Sequence, residues 1–274
     1  MTIPIRWTAY LLLPLVLAAC AHAPDAIKAG GTNIDANAAA DARHWADAGQ
    51  MVLVTTANWD STSGDLRRYE RDGERWRQVG AATQIVVGRT GIAWGIGLNT
   101  EHGDGPVKRE GDGKAPAGVF AIGPAFGYAG SARTGLDYRA MGANDWCIDV
   151  PDSVYYNQII DRSVVKAPLL DQSTEPMRRD IHADGDQRYR EGFVIEHNAA
   201  NVRNAGSCIF AHLWTASDTT TAGCTAMAPA SMDALLAWLD QKRKPVFVQL
   251  PQAQYHQLRD AWQLPQLTAS EHAR

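Results

Sequence analysis

Short runs rich in β-branched and aromatic residues recur along the chain, each bounded by residues that favour turns. The runs are 51–56, 84–88, 118–122, 192–196, 208–212 and 245–250. Asp72-Gly73, in the middle of the segment 66–79, is the two-residue signal for a hairpin turn. The pattern predicts a mostly β fold, a largely antiparallel sheet or barrel, with one or a few short helices.

One helix is indicated near the C-terminal end of the chain. After Pro229, four apolar residues are spaced at i, i+3, i+4 and i+7, namely Met232, Leu235, Leu236 and Leu239. This spacing places them in one stripe of an α-helix, which can then pack against a sheet. We find no internal repeat and no sign of a second folded domain.

Composition excludes several classes of protein. The 274 residues include 26 Lys+Arg and 30 Asp+Glu, with 45% hydrophobic residues, so the chain can form a large core and lacks the basic surface of a nucleic-acid-binding protein. Four cysteines are too few to staple a disulfide-rich scaffold, and no Cys-x-x-Cys pair indicates a zinc knuckle. The role of each cysteine is therefore an open question.

The first twenty residues have the pattern of a secretion signal. A single cation, Arg6, precedes an apolar run from Leu11 to Leu17, which has the length of a signal-peptide core and is too short to cross a bilayer. The next residues complete Leu17-Ala18-Ala19-Cys20, which resembles the lipobox of bacterial lipoproteins. That resemblance implies cleavage before Cys20, acylation of Cys20 and, because Ala21 follows, sorting to the outer membrane. A short anchor or a buried helix is the alternative.

Composition also divides the chain. Residues 1–20 form the expected lipoprotein signal peptide, and 21–49, rich in Ala, Asp, Asn and Gly, are expected to be a flexible tether. Residues 50–252 hold the predicted folded domain. Residues 253–274 are expected to be a polar tail that is partly helical.

Candidate chemistry is concentrated between residues 206 and 225. In a strand, Cys208 and His212 would start about 13 Å apart, too far to act as a pair. Cys224 instead follows His212 by a loop of small polar residues that can fold back, and Gly223 permits a close backbone approach. We therefore predict Cys224 as a nucleophile and His212 as its base.

Thr221-Ala222-Gly223-Cys224, after a strand that ends at His212, resembles the [Ser/Thr]-x-Gly-Cys motif and histidine of L,D-transpeptidase catalytic domains. The segment 114–120, Lys-Ala-Pro-Ala-Gly-Val-Phe, resembles a stretch found early in those domains. The similarity covers roughly residues 50 to 250. It implies an L,D-transpeptidase-like β-sandwich or barrel, a thioester acyl-enzyme on Cys224, and an oxyanion hole of the Gly223 and Cys224 backbone N–H groups.

The chain departs from the family motif at two places. Ala222 stands where the family usually has His, and Thr225 to Met227 stand where it has Arg or Asn. We expect the substrate contacts to differ accordingly. The predicted substrate-binding residues are His197, Thr221, Trp214 and Thr225. Trp94 and Trp146 are candidates for an aromatic wall with Trp214, although most tryptophans of such a fold lie in the core.

Two features near the predicted pair remain open. Either Asp218 or a backbone carbonyl could orient His212, since Asp is also favoured in turns for its own hydrogen bonds. Cys147 and Cys208 either form a disulfide, which an oxidising periplasm permits, or remain two buried thiols.

The resemblance implies a periplasmic, lipid-anchored cysteine L,D-transpeptidase acting on peptidoglycan stem peptides, with no cofactor and no metal. One alternative is a cell-wall cysteine carboxypeptidase, which hands the acyl group to water. Another is a non-catalytic, wall-binding lipoprotein. A zinc site of His182, Asp184, His197 and His212 is not supported, because none of these residues has His-Glu-x-x-His spacing.

Overall fold

The computed structural model describes residues 40–100 and 102–267 of the chain. The strands in these residues are β1 Gln50–Thr56, β2 Ser63–Asp72, β3 Arg75–Val86, β4 Ile92–Trp94, β5 Ala115–Gly127, β6 Tyr138–Ala140, β7 Asp145–Cys147, β8 Ile159–Asp161, β9 Glu175–Pro176, β10 Glu191–Ile195, β11 Phe210–Leu213, β12 Thr225–Met227 and β13 Val246–Pro251. The α-helices are α1 Arg179–His182, α2 Pro229–Trp238 and α3 Gln252–Leu258. Short 3-10 turns cover Ala42–Trp45, Leu170–Gln172 and Gln241–Arg243.

Eight of these strands close into a barrel, which confirms the prediction of a mostly β fold. Around the barrel the order is β10, β11, β12, β3, β2, β1, β13 and β5, and β5 pairs with β10 to complete the ring. The β1–β13 and β11–β12 pairs are parallel, and the other pairs of the ring are antiparallel. Closure leaves the barrel strands without a free edge.

The hairpin and the helix that the sequence predicts are both present in the structure. Gly73, with φ of +59°, makes the turn that joins β2 to β3 in an antiparallel hairpin. Helix α2 begins at Pro229, and Met232, Leu235 and Leu236 are buried on its inner side. The helix contacts β10 and β11, so its apolar stripe covers the part of the barrel that carries His212.

A small three-stranded sheet, in the order β8, β7, β9, lies between β6 and β10 in sequence. We call residues 145–176 the insertion. A disulfide joins Cys147, on β7, to Cys208, just before β11. Of the two states that the sequence left open for these cysteines, the structure has the disulfide, and it ties the insertion to the segment that leads to His212.

Both ends of the described chain pack into the core, which corrects two expected boundaries. Ala42, Trp45 and Ala48 are buried, so the tether expected over 21–49 cannot include the turn that holds them. Trp262 is also buried, and its ring lies 5.5 Å from that of Trp45. The expected tail 253–274 is therefore part of the core at least as far as Leu264, because these apolar residues gain by leaving water.

Cys20, the expected signal peptide and most of the expected tether lie outside the described residues, as do residues 268–274. Among residues 40–100 and 102–267, no helix has the length and apolar character needed to span a bilayer.

Candidate active site

Cys224 lies directly before β12, in a loop fitted tightly against the barrel. A side chain at Gly223 would place its Cβ atom 3.0 Å from the Lys114 carbonyl oxygen, so glycine permits the close approach. The Thr221 hydroxyl donates to the Cys224 carbonyl oxygen at 2.7 Å and accepts from the Gly223 N–H at 3.1 Å. These bonds fix the loop that presents the cysteine.

The strand register brings Cys224 and His212 to one side of the sheet. In the parallel β11–β12 pair, His212 lies opposite Ala226, two residues after Cys224. Because side chains alternate along a strand, Cys224 and His212 share a face, with Cα atoms about 8 Å apart on the diagonal. Both residues line the same cavity. The strand register therefore brings both side chains to one wall of the cavity.

A backbone carbonyl orients the His212 ring. The ring atom Nδ1 lies 2.8 Å from the Leu213 carbonyl oxygen, which can only accept a hydrogen bond. Nδ1 therefore carries the proton of the neutral ring, and Nε2 keeps a lone pair that can act as a base. Asp218, the other candidate for this task, is exposed in the turn after β11 and accepts from the Thr219 hydroxyl at 3.5 Å.

Burial keeps both members of the pair neutral. Loss of solvent lowers the pKa of His212 to about 4. The same effect, aided by the charge of Glu175, raises the pKa of the Cys224 thiol to about 12. At neutral pH the pair is thus a thiol and an imidazole rather than a thiolate and an imidazolium, so proton transfer must accompany attack on a substrate.

Two backbone groups of the preceding segment contact the Cys224 sulfur. The Phe210 N–H donates to Sγ at 3.3 Å, and the thiol lies 3.5 Å from the Cys208 carbonyl oxygen. Cys208 has a left-handed backbone, with φ of +55°, and its N–H donates to the Asn157 side chain at 2.8 Å. The insertion therefore positions the nucleophile, since it supplies both Asn157 and the disulfide partner Cys147.

The cavity that contains Cys224 and His212 has a volume of about 330 Å³ and charged walls. Two of its residues, Glu175 on β9 and Tyr189 before β10, were missed by the sequence interpretation. Tyr189 is buried, and its ring packs edge-on against those of Phe210 and His212, at centroid distances of 5.5 and 5.1 Å. No motif marks Glu175; only the pairing of β9 with β7 brings it to the cavity.

Most cations of this cavity are already paired with carboxylates. Lys108 contacts Asp112 at 2.6 Å, and both Arg179 and Arg188 contact Asp186 at 2.6–2.7 Å. Burial would raise the pKa of the Asp186 carboxyl, but its hydrogen bonds with Arg188 and Arg179 hold that pKa well below its usual range. The wall is therefore polar and rigid, which suits a polar substrate held in one orientation.

The remaining predicted contacts lie in different places. Thr221 lines the cavity, but its hydroxyl is used within the cysteine loop. Thr225 is fully buried, and its hydroxyl donates a hydrogen bond to the Gln249 side chain at 3.0 Å. Trp214 is half-buried and does not line the cavity. Neither residue therefore makes the expected substrate contact. The Gly223 N–H already donates to Thr221, which leaves the Cys224 N–H as the other predicted oxyanion donor.

His197 serves the structure rather than the Cys224 cavity. Its Nδ1 accepts from the Ile96 N–H at 3.2 Å, and its Nε2 donates to the Ala205 carbonyl oxygen at 2.9 Å. It lines a second cavity, which shares Cys208 and Ile209 with the first.

Trp94, proposed for an aromatic wall, is a core residue, and Trp146 lies in the insertion. Among the described residues, no group of three or more His, Cys, Asp or Glu side chains is arranged to hold a metal ion.

Fold and site together define a closed β-barrel protein with a buried cysteine and histidine in one charged cavity. No family model, no curated protein and no solved structure matches the chain.

Proposed function

We propose that the chain is a cysteine L,D-transpeptidase that acts on peptidoglycan stem peptides, and that its barrel is of the L,D-transpeptidase type. The observation that supports this most is the placement of Cys224 and His212 in one cavity, with His212 Nδ1 bonded to a carbonyl and Nε2 left as a base. The Thr-x-Gly-Cys loop that presents the thiol adds support.

In the proposed reaction, the Cys224 sulfur attacks the carbonyl carbon of an L,D peptide bond in a tetrapeptide stem. His212 Nε2 takes the thiol proton, and the Cys224 N–H stabilises the oxyanion. Collapse breaks the peptide bond, and His212 returns the proton to the leaving amine of the terminal D-residue. An acceptor amine then attacks the thioester, forms a new amide and regenerates the thiol.

Product analysis tests this proposal. The protein is incubated with a synthetic tetrapeptide stem, with and without an acceptor amine, and the products are separated by chromatography and identified by mass spectrometry. We expect the terminal D-residue and a cross-linked product with wild type, and neither with Cys224→Ala. Release of tripeptide alone, even with acceptor present, would instead identify the carboxypeptidase alternative.

The burial of Cys224, 7% exposed with a raised thiol pKa, favours a second candidate, a wall-binding lipoprotein without activity. Binding of isolated peptidoglycan without release of any D-residue would support this candidate against the first.

We also propose that Cys20 carries the lipid that anchors the protein at the periplasmic face of the outer membrane. The motif Leu17-Ala18-Ala19-Cys20 supports this. Mass spectrometry of protein extracted from membranes should find an acylated N-terminal Cys20, whereas an unmodified peptide that runs through Cys20 would contradict it.

A further inference from the structure

Arg89 lines the Cys224 cavity and has no carboxylate partner among the described residues. The other Lys and Arg side chains of this cavity all contact Asp112 or Asp186. The Arg89 guanidinium, in contrast, makes no hydrogen bond and no ion pair within the part of the chain that the structure describes. A guanidinium is charged in proteins and has five N–H donors, so this side chain is free to bind an anion.

The wall next to Arg89 leaves room for its side chain without neutralising its charge. A side chain at Gly113 would place its Cβ atom 3.0 Å from the guanidinium carbon of Arg89, so Arg89 lies directly over this glycine. The preceding residue, Asp112, is already occupied: one carboxylate oxygen accepts from Lys108 Nζ at 2.6 Å, and the other accepts from the Arg109 N–H at 2.7 Å. The adjacent carboxylate therefore does not pair with Arg89.

The Arg89 backbone is fixed to the loop that presents Cys224. The Arg89 N–H donates to the Thr221 carbonyl oxygen at 2.9 Å, and the Thr221 N–H donates to the Val87 carbonyl oxygen at 3.0 Å. The Thr221 hydroxyl in turn donates to the Cys224 carbonyl oxygen. The base of the Arg89 side chain is thus held at a fixed place relative to Cys224, while the exposed guanidinium can close on a ligand.

The carboxylates that line the same cavity accept hydrogen bonds from neighbouring groups. The donors are Tyr156 and Ser207 to Glu110, Thr174 to Asp149, and Arg179 to Glu175. An anionic ligand in the cavity therefore meets unused N–H donors at Arg89 rather than at the paired cations.

We propose that Arg89 binds the free carboxylate at the C-terminus of the stem peptide and makes the site specific for it. This inference rests on the proposed function, in which the leaving D-residue ends in a carboxylate one residue beyond the bond that Cys224 attacks. The planar fork of a guanidinium matches the two oxygens of a carboxylate. Arg89 thereby binds and orients the leaving residue, and takes no part in proton transfer.

Equilibrium binding tests this role without turnover. Full-length protein with Cys224→Ala is titrated in a calorimeter with a synthetic tetrapeptide stem and with the C-terminal amide of the same peptide. We expect the free acid to bind about tenfold more tightly than the amide, because the amide lacks the charge that Arg89 pairs with. Added salt should reduce this preference, since Arg89 is exposed.

Substitutions of Arg89 assign the preference to this side chain. In the same background, Arg89→Gln should weaken binding of the free acid about tenfold and leave binding of the amide unchanged. Arg89→Lys keeps the charge but loses the fork, so it should keep part of the preference. Arg75→Gln is the matched control: Arg75 is exposed at the opposite end of β3, outside the cavity, and its removal should change neither affinity.

Three results would overturn the proposal: equal affinity for acid and amide, no binding of the acid, or a preference that Arg89→Gln leaves intact. The result is also distinguishable from failure of the proposed reaction. An Arg89-dependent preference without transpeptidation by wild type would reject that reaction and keep this binding site. Transpeptidation without any preference for the free acid would do the reverse.

Discussion

At the scale of single residues, burial sets the chemistry of the site. The two residues that the sequence predicts to react, Cys224 and His212, line the same cavity. Their surroundings could not be predicted, because Glu175 and Tyr189 come to the same cavity from segments far from Cys224 in the chain. Thr225 shows the opposite error: it is next to Cys224 in sequence, but strand alternation turns its hydroxyl into the core.

His197 and His212 are both buried, and their burial predicts a loss of stability in acid. Burial lowers the pKa of His197 and of His212 to about 4, below the ordinary value of 6.5. Between pH 6.5 and 4 these histidines bind protons in the unfolded chain but stay neutral in the folded protein. Their contribution to the free energy of unfolding is therefore complete above pH 6.5 and is lost as the pH falls towards 4. We expect each histidine to account for about 2 kcal/mol of unfolding free energy lost between pH 7.5 and 5.

Urea unfolding at pH 7.5 and 5 measures this effect. His197→Gln should reduce the difference in unfolding free energy between the two pH values. A difference as large in the variant as in wild type would contradict the assignment of the acid sensitivity to His197.

At the scale of elements, α2 and every barrel strand except the three-residue β12 were predictable, because each depends on a local pattern of apolar and turn residues. The insertion was not. Strands β7, β8 and β9 have only two or three residues each, too few to show a periodicity, and they pair only with one another. Long-range ties hold them, above all the disulfide of Cys147 and Cys208.

Removal of that disulfide should lower both stability and local order. The bridged cysteines are 61 residues apart, and restricting an unfolded loop of this length is worth about 2–4 kcal/mol. We expect the double variant Cys147→Ser/Cys208→Ser to lose free energy of unfolding by that amount, and hydrogen exchange to rise most in residues 145–176.

Wild type treated with a reductant is the control, because it should match the double variant, while the variant itself should not respond to reductant. Equal stability with and without the bridge would show that the insertion is held by its packing alone.

At the scale of the whole molecule, closure of the barrel joins parts of the sequence that local patterns treat separately. The expected boundaries at 49 and 253 failed because Trp45 and Trp262 pack together, and composition cannot reveal such a contact between distant polar segments. The same closure gives the site its form. It pairs β11 with β12 in parallel, so that the loop before β12, which carries Cys224, meets the start of β11 at the cavity.

The most direct test of the account is the mass of the protein during turnover. After rapid mixing with a tetrapeptide stem and acid quenching, we expect a protein population heavier by the mass of one tripeptide acyl group. Proteolysis should locate this added mass on the peptide that contains Cys224. The adduct should be absent from Cys224→Ala. A tripeptide product formed without any adduct on Cys224, or formed equally by Cys224→Ala, would contradict the assignment of this cysteine as the nucleophile.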